Sequence, residues 1–240
     1  HLKVTLARIA RAGAAVTAVA PRIAYLETIV GSTAKRGRHK KQSGGHGQFG
    51  DVLLEVAPLP RGSGIVFVDR ITGGVVPRQY IPAVEEGVRD ALKRGPLGFP
   101  VVDVEVRLVD GGYHAVDSSD QAFHTAGGIG VREALPECGP VLLEPIMHVD
   151  LFVPNEATAR INGIVTGRRG QILGFEADPD REGQDIVRAF VPAAEMRDLI
   201  VEVRSASSGV GTFVARHDHM AELTGRIAEK IVGEQGRHAA

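Results

Sequence analysis

The chain has 240 residues, with 28 Lys and Arg against 29 Asp and Glu and a formal charge of −1; that length suits one or two domains with a real core. Its one cysteine, Cys138, excludes a disulfide within the chain and fits a reducing cytosol, while no apolar run reaches the roughly 20 residues of a membrane helix and no signal-peptide pattern is read. The absence of Trp, with only 8 Phe and 3 Tyr, argues against a base-stacking surface of the usual aromatic kind.

Leu2, Leu6 and Ile9 fall at i, i+4 and i+7, with Lys3, Arg8 and Arg11 on other faces, the pattern of a short helix that Gly13 ends. Ala14–Ala20 is expected as a strand, Pro21 breaks it, and Ile23–Val30 is a second extended segment. Because this pattern begins at once, the chain is expected to be a piece of a longer protein. Next comes Lys35–Gly50, KRGRHKKQSGGHGQFG, in which Lys35, Arg36, Arg38, Lys40 and Lys41 are met by no acid between Glu27 and Asp51. Ordering each residue costs about 1–2 kcal/mol, and Phe49 is the only large apolar side chain there to offset it. The stretch is therefore expected as a mobile basic loop, or one ordered by a partner. Glycine lets the main chain approach closely and Lys and Arg neutralise phosphates, so a polyanion suits it; a solvated loop is the plainer alternative.

Val52, Leu54 and Val56 alternate with Asp51 and Glu55, a half-buried strand. Pro58–Gly64 reads as a turn and Ile65–Ile71 as the return strand of an antiparallel hairpin. A helix is expected from Pro82, with Glu85 and Glu86 in its first turns, Lys93 and Arg94 at its end, and Val84, Val88, Ala91 and Leu92 as its buried stripe. Val101–Val109 alternates as a strand, Gly111–His114 turns the chain, and Asp117–Asp120 offers caps for a helix to about Leu135. Gly127, Gly128 and Gly130 within it imply close packing against a sheet. Pro136–Pro145 reads as a connection and domain boundary. Beyond it come strand (Ile146–Val153), helix, strand (Gln171–Ala177), strand (Gln184–Val191), helix and strand (Val210–Arg216), the βαββαβ order of a ferredoxin-like sandwich. A last helix, roughly Met220–Val232, carries Leu223, Ile227 and Ile231.

Sites for other chemistry are poorly specified. No GxxxxGKS/T run occurs, so no nucleotide cofactor is expected. His114, Asp117 and Ser118 are too local for triad geometry. His217-Asp218-His219 lacks a third metal ligand, as do His39 and His46, and Cys138 has no paired base. The acids of Asp178–Gly183 have the wrong spacing for a calcium loop and read as a hairpin turn.

At Gln42–Gly50 (QSGGHGQFG), Gly73–Tyr80 (GGVVPRQY), Ile81–Gly87 (IPAVEEG), Gly112–Ser119 (GYHAVDSS) and Leu142–Ile146 (LLEPI) the chain resembles the C-terminal half of the bacterial translation elongation factor G family. The resemblance implies an α+β fold of two sandwich modules. Residues 1–22 would finish a truncated third domain. Residues 23–141 would form an elongated, ribosomal-protein-like fourth domain with the C-terminal helix, 219–240, packed back on it. Residues 142–218 would form the ferredoxin-like fifth domain. The family's GTPase domain, with its GTP and magnesium, would lie upstream, so this piece is expected to be no enzyme and to carry no cofactor or metal. The resemblance further implies a tip that enters the small-subunit decoding region of the ribosome and holds transfer and messenger RNA during translocation. Gln42, Ser43, Gly44, Gly45, His46, Gly47 and Gln48 would form its first loop and His114 its second, with Arg38, Lys40 and Lys41 adding charge. Arg168 and Arg169 would meet large-subunit ribosomal RNA; on composition alone they are a solvated helix end. A cytoplasmic monomer without membrane contact is expected. His46 stands where many such factors carry Arg, and Phe49 where Tyr is common. A neutral His is a weaker phosphate contact at pH 7, so an elongation factor G-like paralogue acting in ribosome recycling is the alternative, and a metal-dependent α+β hydrolase a more distant one.

Overall fold

The computed structural model describes residues 2–17, 22–42 and 47–238. Helix α1 (Leu2–Arg11) opens the chain; of the strand expected at Ala14–Ala20, residues 14–17 are irregular and the rest lies outside the described residues. Strands β1 (Leu26–Ile29), β2 (Thr33–Lys41), β3 (Gln48–Pro58) and β4 (Ile65–Asp69) follow, then α2 (Ile81–Leu92), β5 (Val104–Gly112) and α3 (Asp120–Ala134). The remainder is β6 (Pro140–Pro154), α4 (Thr158–Gly167), β7 (Gln171–Ala177), β8 (Gln184–Pro192), α5 (Leu199–Ala206), β9 (Thr212–Leu223) and α6 (Gly225–His238).

The first sheet runs β2-β3-β5-β4, with α2 and α3 on one face. Val52, Leu54, Val56, Val104, Val106 and Leu108 are buried toward Val84, Val88 and Leu92 of α2 and Phe123 and Val131 of α3, each such side chain contributing about 1.5–3 kcal/mol. The expected β3–β4 hairpin is replaced by a different pairing. Strand β5 lies between them, antiparallel to β3 and parallel to β4. The loop after β3 straddles the start of β5: Leu59 N–H donates to Asp103 O (2.8 Å), Gly64 N–H to Asp103 Oδ1 (2.9 Å), and Val104 N–H to Gly64 O (3.1 Å). Asp103, at φ 59°, breaks the expected Val101–Val109 strand, and regular pairing starts one residue later.

The basic stretch is not a loop. Thr33–Lys41 pairs residue for residue with Gln48–Val56, and between the two strands only Gln42 and Gly47 are among the described residues. It has almost no apolar side chains to bury, and Gly37 solves this by bringing the bare backbone against Ala126 and Gly130 of α3. The glycines of α3 pack on two partners instead of the sheet alone: Gly130 meets Leu54 and Gly37, whereas a Cβ on Gly127 would stand 2.7 Å from Val84 O of α2.

The second sheet places β9-β6-β8-β7 in ferredoxin-like order. Val149, Leu151, Val187 and Val191 are buried with Ile161, Val165, Leu199 and Val203 of α4 and α5. Pro136–Pro145, expected as an irregular connection, is a short 3-10 turn followed by the first residues of β6. That strand pairs with β1 through residues 140–143 and with β8 from Ile146, along the same edge, because β9 occupies the other. Pro145 falls in the gap between β1 and β8, where a strand tolerates a missing N–H. Leu223, expected in the last helix, is instead the final residue of β9 and pairs with Leu142; Thr224 separates strand from helix, and Gly225, at φ 71°, opens α6. Helix α6 then packs Ala228, Ile231 and Val232 on Leu97, Phe99, Leu142 and Leu223.

Where the sheets meet, Glu27 of β1 is completely buried. Its Oε2 accepts from Leu97 N–H (2.8 Å). Burial lifts its carboxyl from 4.5 to about 7, with the amides of Leu97, Phe99 and Gly95 pulling the other way. The folded chain thus keeps a proton that the unfolded chain has lost. The stabilisation is full below about pH 4.5 and disappears as pH rises through 7, an effect on the order of 3 kcal/mol. Urea denaturation from roughly pH 5 to pH 8 should show this decline in the wild type and a flatter profile in Glu27→Gln; identical profiles would exclude Glu27 as its source.

Candidate nucleic-acid interface

Strand β2 is an edge strand whose side chains alternate between the two faces of the first sheet. At its base the cations have partners. Lys35 Nζ lies 2.6 Å from Glu137, and Arg36 Nε 2.7 Å from Asp51, with Asp110 at 3.7 Å. Halfway along, Arg38 is only 3.9 Å from Asp51 and lies over the Phe49 ring, 5.4 Å from its centroid. Lys40 and Lys41, nearest the tip, have no acid partner among the described residues. His39 Nε2 is 2.8 Å from Gln48 Oε1 across the hairpin. Positive charge is therefore neutralised at the base of the hairpin and left free at its end.

Ser43, Gly44, Gly45 and His46 lie outside the described residues. On either side of them stand Gln42 and Gly47, and Gln48 opens β3 opposite Lys41. The turn bearing His114 is fastened to this end. Phe49 N–H donates to Asp117 O (2.8 Å), and Ser118 Oγ–H donates to Phe49 O (2.9 Å) while accepting from His114 N–H (2.9 Å). Gly47 sits so close to Asp117 that a Cβ would stand 2.7 Å from its carboxylate. The Phe49 and His114 rings meet edge to face at 6.5 Å. Two residues of sequence thus decide the juxtaposition, Asp117 and Ser118, which sequence reasoning weighed only as helix caps or false triad members. Ser118 Oγ is engaged by backbone groups and not by the imidazole. Ser119 supplies the cap instead, accepting from Ala122 N–H at 3.2 Å.

The N–H groups of Val116 and Asp117 point at His114 Nδ1 from 3.4 and 3.3 Å. The Asp117 carboxylate also stands 3.3 Å from Nδ1, so the turn engages that nitrogen, and Nε2 is the ring nitrogen with no partner among the described residues. Tyr113 and Val116 on either side are exposed. The tip so formed offers ammonium groups, a ring nitrogen and small apolar surfaces, a set that grips phosphate and ribose without distinguishing bases.

The expected contacts of the second half are placed differently. Arg168 donates to both oxygens of Glu202 (2.7 and 3.2 Å), to Arg197 O (2.7 Å) and to Glu195 O. Arg169, at φ 57°, forms a two-pronged pair with Glu144 (2.8 and 3.0 Å) and a third bond to Glu195 (3.0 Å). Hydrogen bonding to these carboxylates raises both guanidinium pKa values and lowers that of Glu202. The pair ties the α4–β7 turn to β6 and to the start of α5, and its donors are largely spent.

A family model for elongation factor G, domain IV, matches residues 21–139, and one for the elongation factor G C-terminus matches residues 141–231. An elongation factor G-like protein of Synechocystis is 50% identical over 96% of this chain and 35% of its own. Elongation factor G of Aquifex pyrophilus is 45% identical over 98% of this chain and 34% of its own. The corresponding figures for an elongation factor G-like protein of Thermotoga maritima are 45%, 99% and 35%. A crystal structure of a Thermus thermophilus protein matches with a TM-score of 0.88 at 37% identity, over 98% of this chain and 35% of that one. The chain spans about a third of the length of the curated relatives it matches.

Ser118→Ala removes the hydroxyl that serves both Phe49 and His114, leaving a half-buried carbonyl without its donor. Urea denaturation should show a loss of about 1–3 kcal/mol, and a variant as stable as the wild type would show that the two turns are held by other means.

Proposed function

The chain belongs to the elongation factor G family, and from that premise we propose that its first half is the RNA-holding arm of a longer, ribosome-acting translation factor. The arm docks by charge and shape. Lys40, Lys41 and Arg38 neutralise phosphates, the backbone around Gln42 and Gly47 approaches closely, and His114 meets a phosphate or ribose oxygen through Nε2. The observation that carries this reading is the coincidence of two features at one end of the arm: the β2 cations lose their acid partners there, and Phe49, Asp117 and Ser118 fix the His114 turn beside them. The partners are the small-subunit decoding region with its transfer and messenger RNA, and the task is to hold that pair during translocation. The factor works as a monomer in the cytoplasm. Catalysis of GTP hydrolysis, with its magnesium, belongs to a part of the protein outside this chain.

Ribosome recycling is the second reading. It is favoured by His46, where many family members have Arg, because a neutral imidazole grips phosphate less strongly. Two of the relatives described above also carry the name elongation factor G-like.

In the full-length protein, Lys40→Gln with Lys41→Gln should weaken ribosome binding and lower the log–log salt slope by roughly 1.4–1.8, two phosphate contacts at about 0.7–0.9 each; an unchanged slope would remove these lysines from the interface. His114→Ala should slow translocation by about tenfold or more, the worth of one hydrogen bond to a charged group, with a much smaller effect on binding. Undiminished translocation by that variant would favour recycling.

A further inference from the structure

Arg168 and Arg169 are committed to carboxylates, and arginines of the second half with more of their donors free lie elsewhere on its surface. Helices α4 and α5 cover one face of the β9-β6-β8-β7 sheet, through Val149 and Leu151 of β6. The residues that alternate with these, His148 and Asp150, belong to the opposite face, which α4 and α5 leave uncovered, and their side chains are 13% and 23% exposed. There His148 pairs directly with Phe190 of β8 on one side and with Arg216 of β9 on the other. The ring centroids of His148 and Phe190 are 5.7 Å apart, and those of Phe190 and His219 are 5.2 Å apart. Three rings from three strands thus form one continuous strip. Few aromatics in the composition did not prevent their concentration here, and two of the three rings are imidazoles.

The arginines beside this strip differ from the pair at the α4–β7 turn. Arg216 is 65% exposed, and the one acid within 4 Å of it among the described residues, Asp150, is 3.8 Å away, beyond hydrogen-bond length. Arg188 is equally far from Asp150 and gives one edge to Glu176 (2.5 Å). Asp150 therefore gathers both guanidinium groups, and His148 Nδ1 at 3.5 Å, without consuming their donors. The Oδ1 of Asp150 and Nδ1 of His148 are buried and face each other, so they fix the position of the ring and are not themselves open to a ligand.

We propose that this face binds single-stranded RNA, one base lying against the more exposed Phe190–His219 end of the strip and Arg188 and Arg216 holding the flanking phosphates. Four-stranded sheets that read single-stranded RNA do so with rings on their exposed face, and arginine beside rings adds both charge and stacking. The proposal deepens the reading of the chain as an RNA-contacting piece and rests on it, but the surface is separate from the arm tip.

The test uses the 240-residue chain and a 4-thiouridine-substituted single strand of about ten nucleotides, with affinity measured against salt and ultraviolet cross-links mapped to peptides. Arg188→Gln with Arg216→Gln, both at partly exposed positions, should weaken binding about tenfold and lower the salt slope by roughly 1.4. Phe190→Leu, which keeps an apolar side chain, should abolish cross-links to β6, β8 and β9, and Lys40→Gln with Lys41→Gln should preserve them. Cross-links confined to the arm tip, with the arginine variant binding like wild type, would overturn this proposal and leave the arm intact. No binding at either surface would overturn both. A concentration-dependent dimer that the arginine variant dissolves, without RNA binding, would make the face a protein interface and also overturn the proposal.

Discussion

The contact on which the rest of the first half depends is the close approach of the β2–β3 hairpin to helix α3. Gly37 lies on the backbone of Ala126 and Gly130, and a Cβ on Gly50 would stand 2.6 Å from Ala122 O. A strand as rich in Lys and Arg as Thr33–Lys41 cannot be held by apolar side chains. It is held by its ladder to β3 and by van der Waals contact between main chains, which only glycine allows at that distance. Helix α3 is fixed in turn against α2, so an exposed, charged strand is backed by two layers of buried structure.

Rigidity changes what the free charges can do. A cation on a mobile loop loses backbone freedom when it binds, whereas Lys40 and Lys41 lose only side-chain freedom, because their backbone is already ordered. Acids spaced along the neighbouring elements set where charge is available. Glu137, Asp51 and Asp110 occupy the cations at the base, whereas the acid at the tip, Asp117, lies against Gly47 and His114 and pairs with no lysine among the described residues. The exposed pairs, Lys35 with Glu137 and Arg36 with Asp110, add little stability; together with the buried Asp51 they confine the positive field to one end. The junction with the second half uses a shared strand, the buried Glu27 and the Arg61–Glu222 pair at 2.5 Å, so the tip is connected to the second sheet through several independent contacts.

Much of this is legible in the residues because it is local. Pro82 and the stripe Val84, Val88, Ala91, Leu92 define α2, the polar run before Asp120 supplies the cap of α3, and alternation after Pro145 spells the βαββαβ order. What failed depends on partners distant in sequence. Nothing near Pro58–Gly64 announces that β5 will enter between β3 and β4. No apolar alternation marks Thr33–Lys41 as a strand, since the feature that fixes it, the fit of Gly37, exists only once α3 is in place. Arg168 and Arg169 look like free charge until Glu144, Glu195 and Glu202 are brought to them by the fold. In the candidate site, the basic residues and His114 are visible as chemistry, but Ser118 and Asp117, which bring them together, are ordinary turn residues until their partner Phe49 is known.

The most direct measurement is amide hydrogen exchange of the free chain, without RNA or ribosome, across Thr33–Lys41. An edge strand paired with β3 predicts protection at alternate residues, because only every second N–H donates into the ladder. Exchange at unprotected rates throughout Thr33–Lys41 would mean that the cationic segment has no structure of its own, and that a prearranged, charge-bearing arm is not how this chain meets RNA.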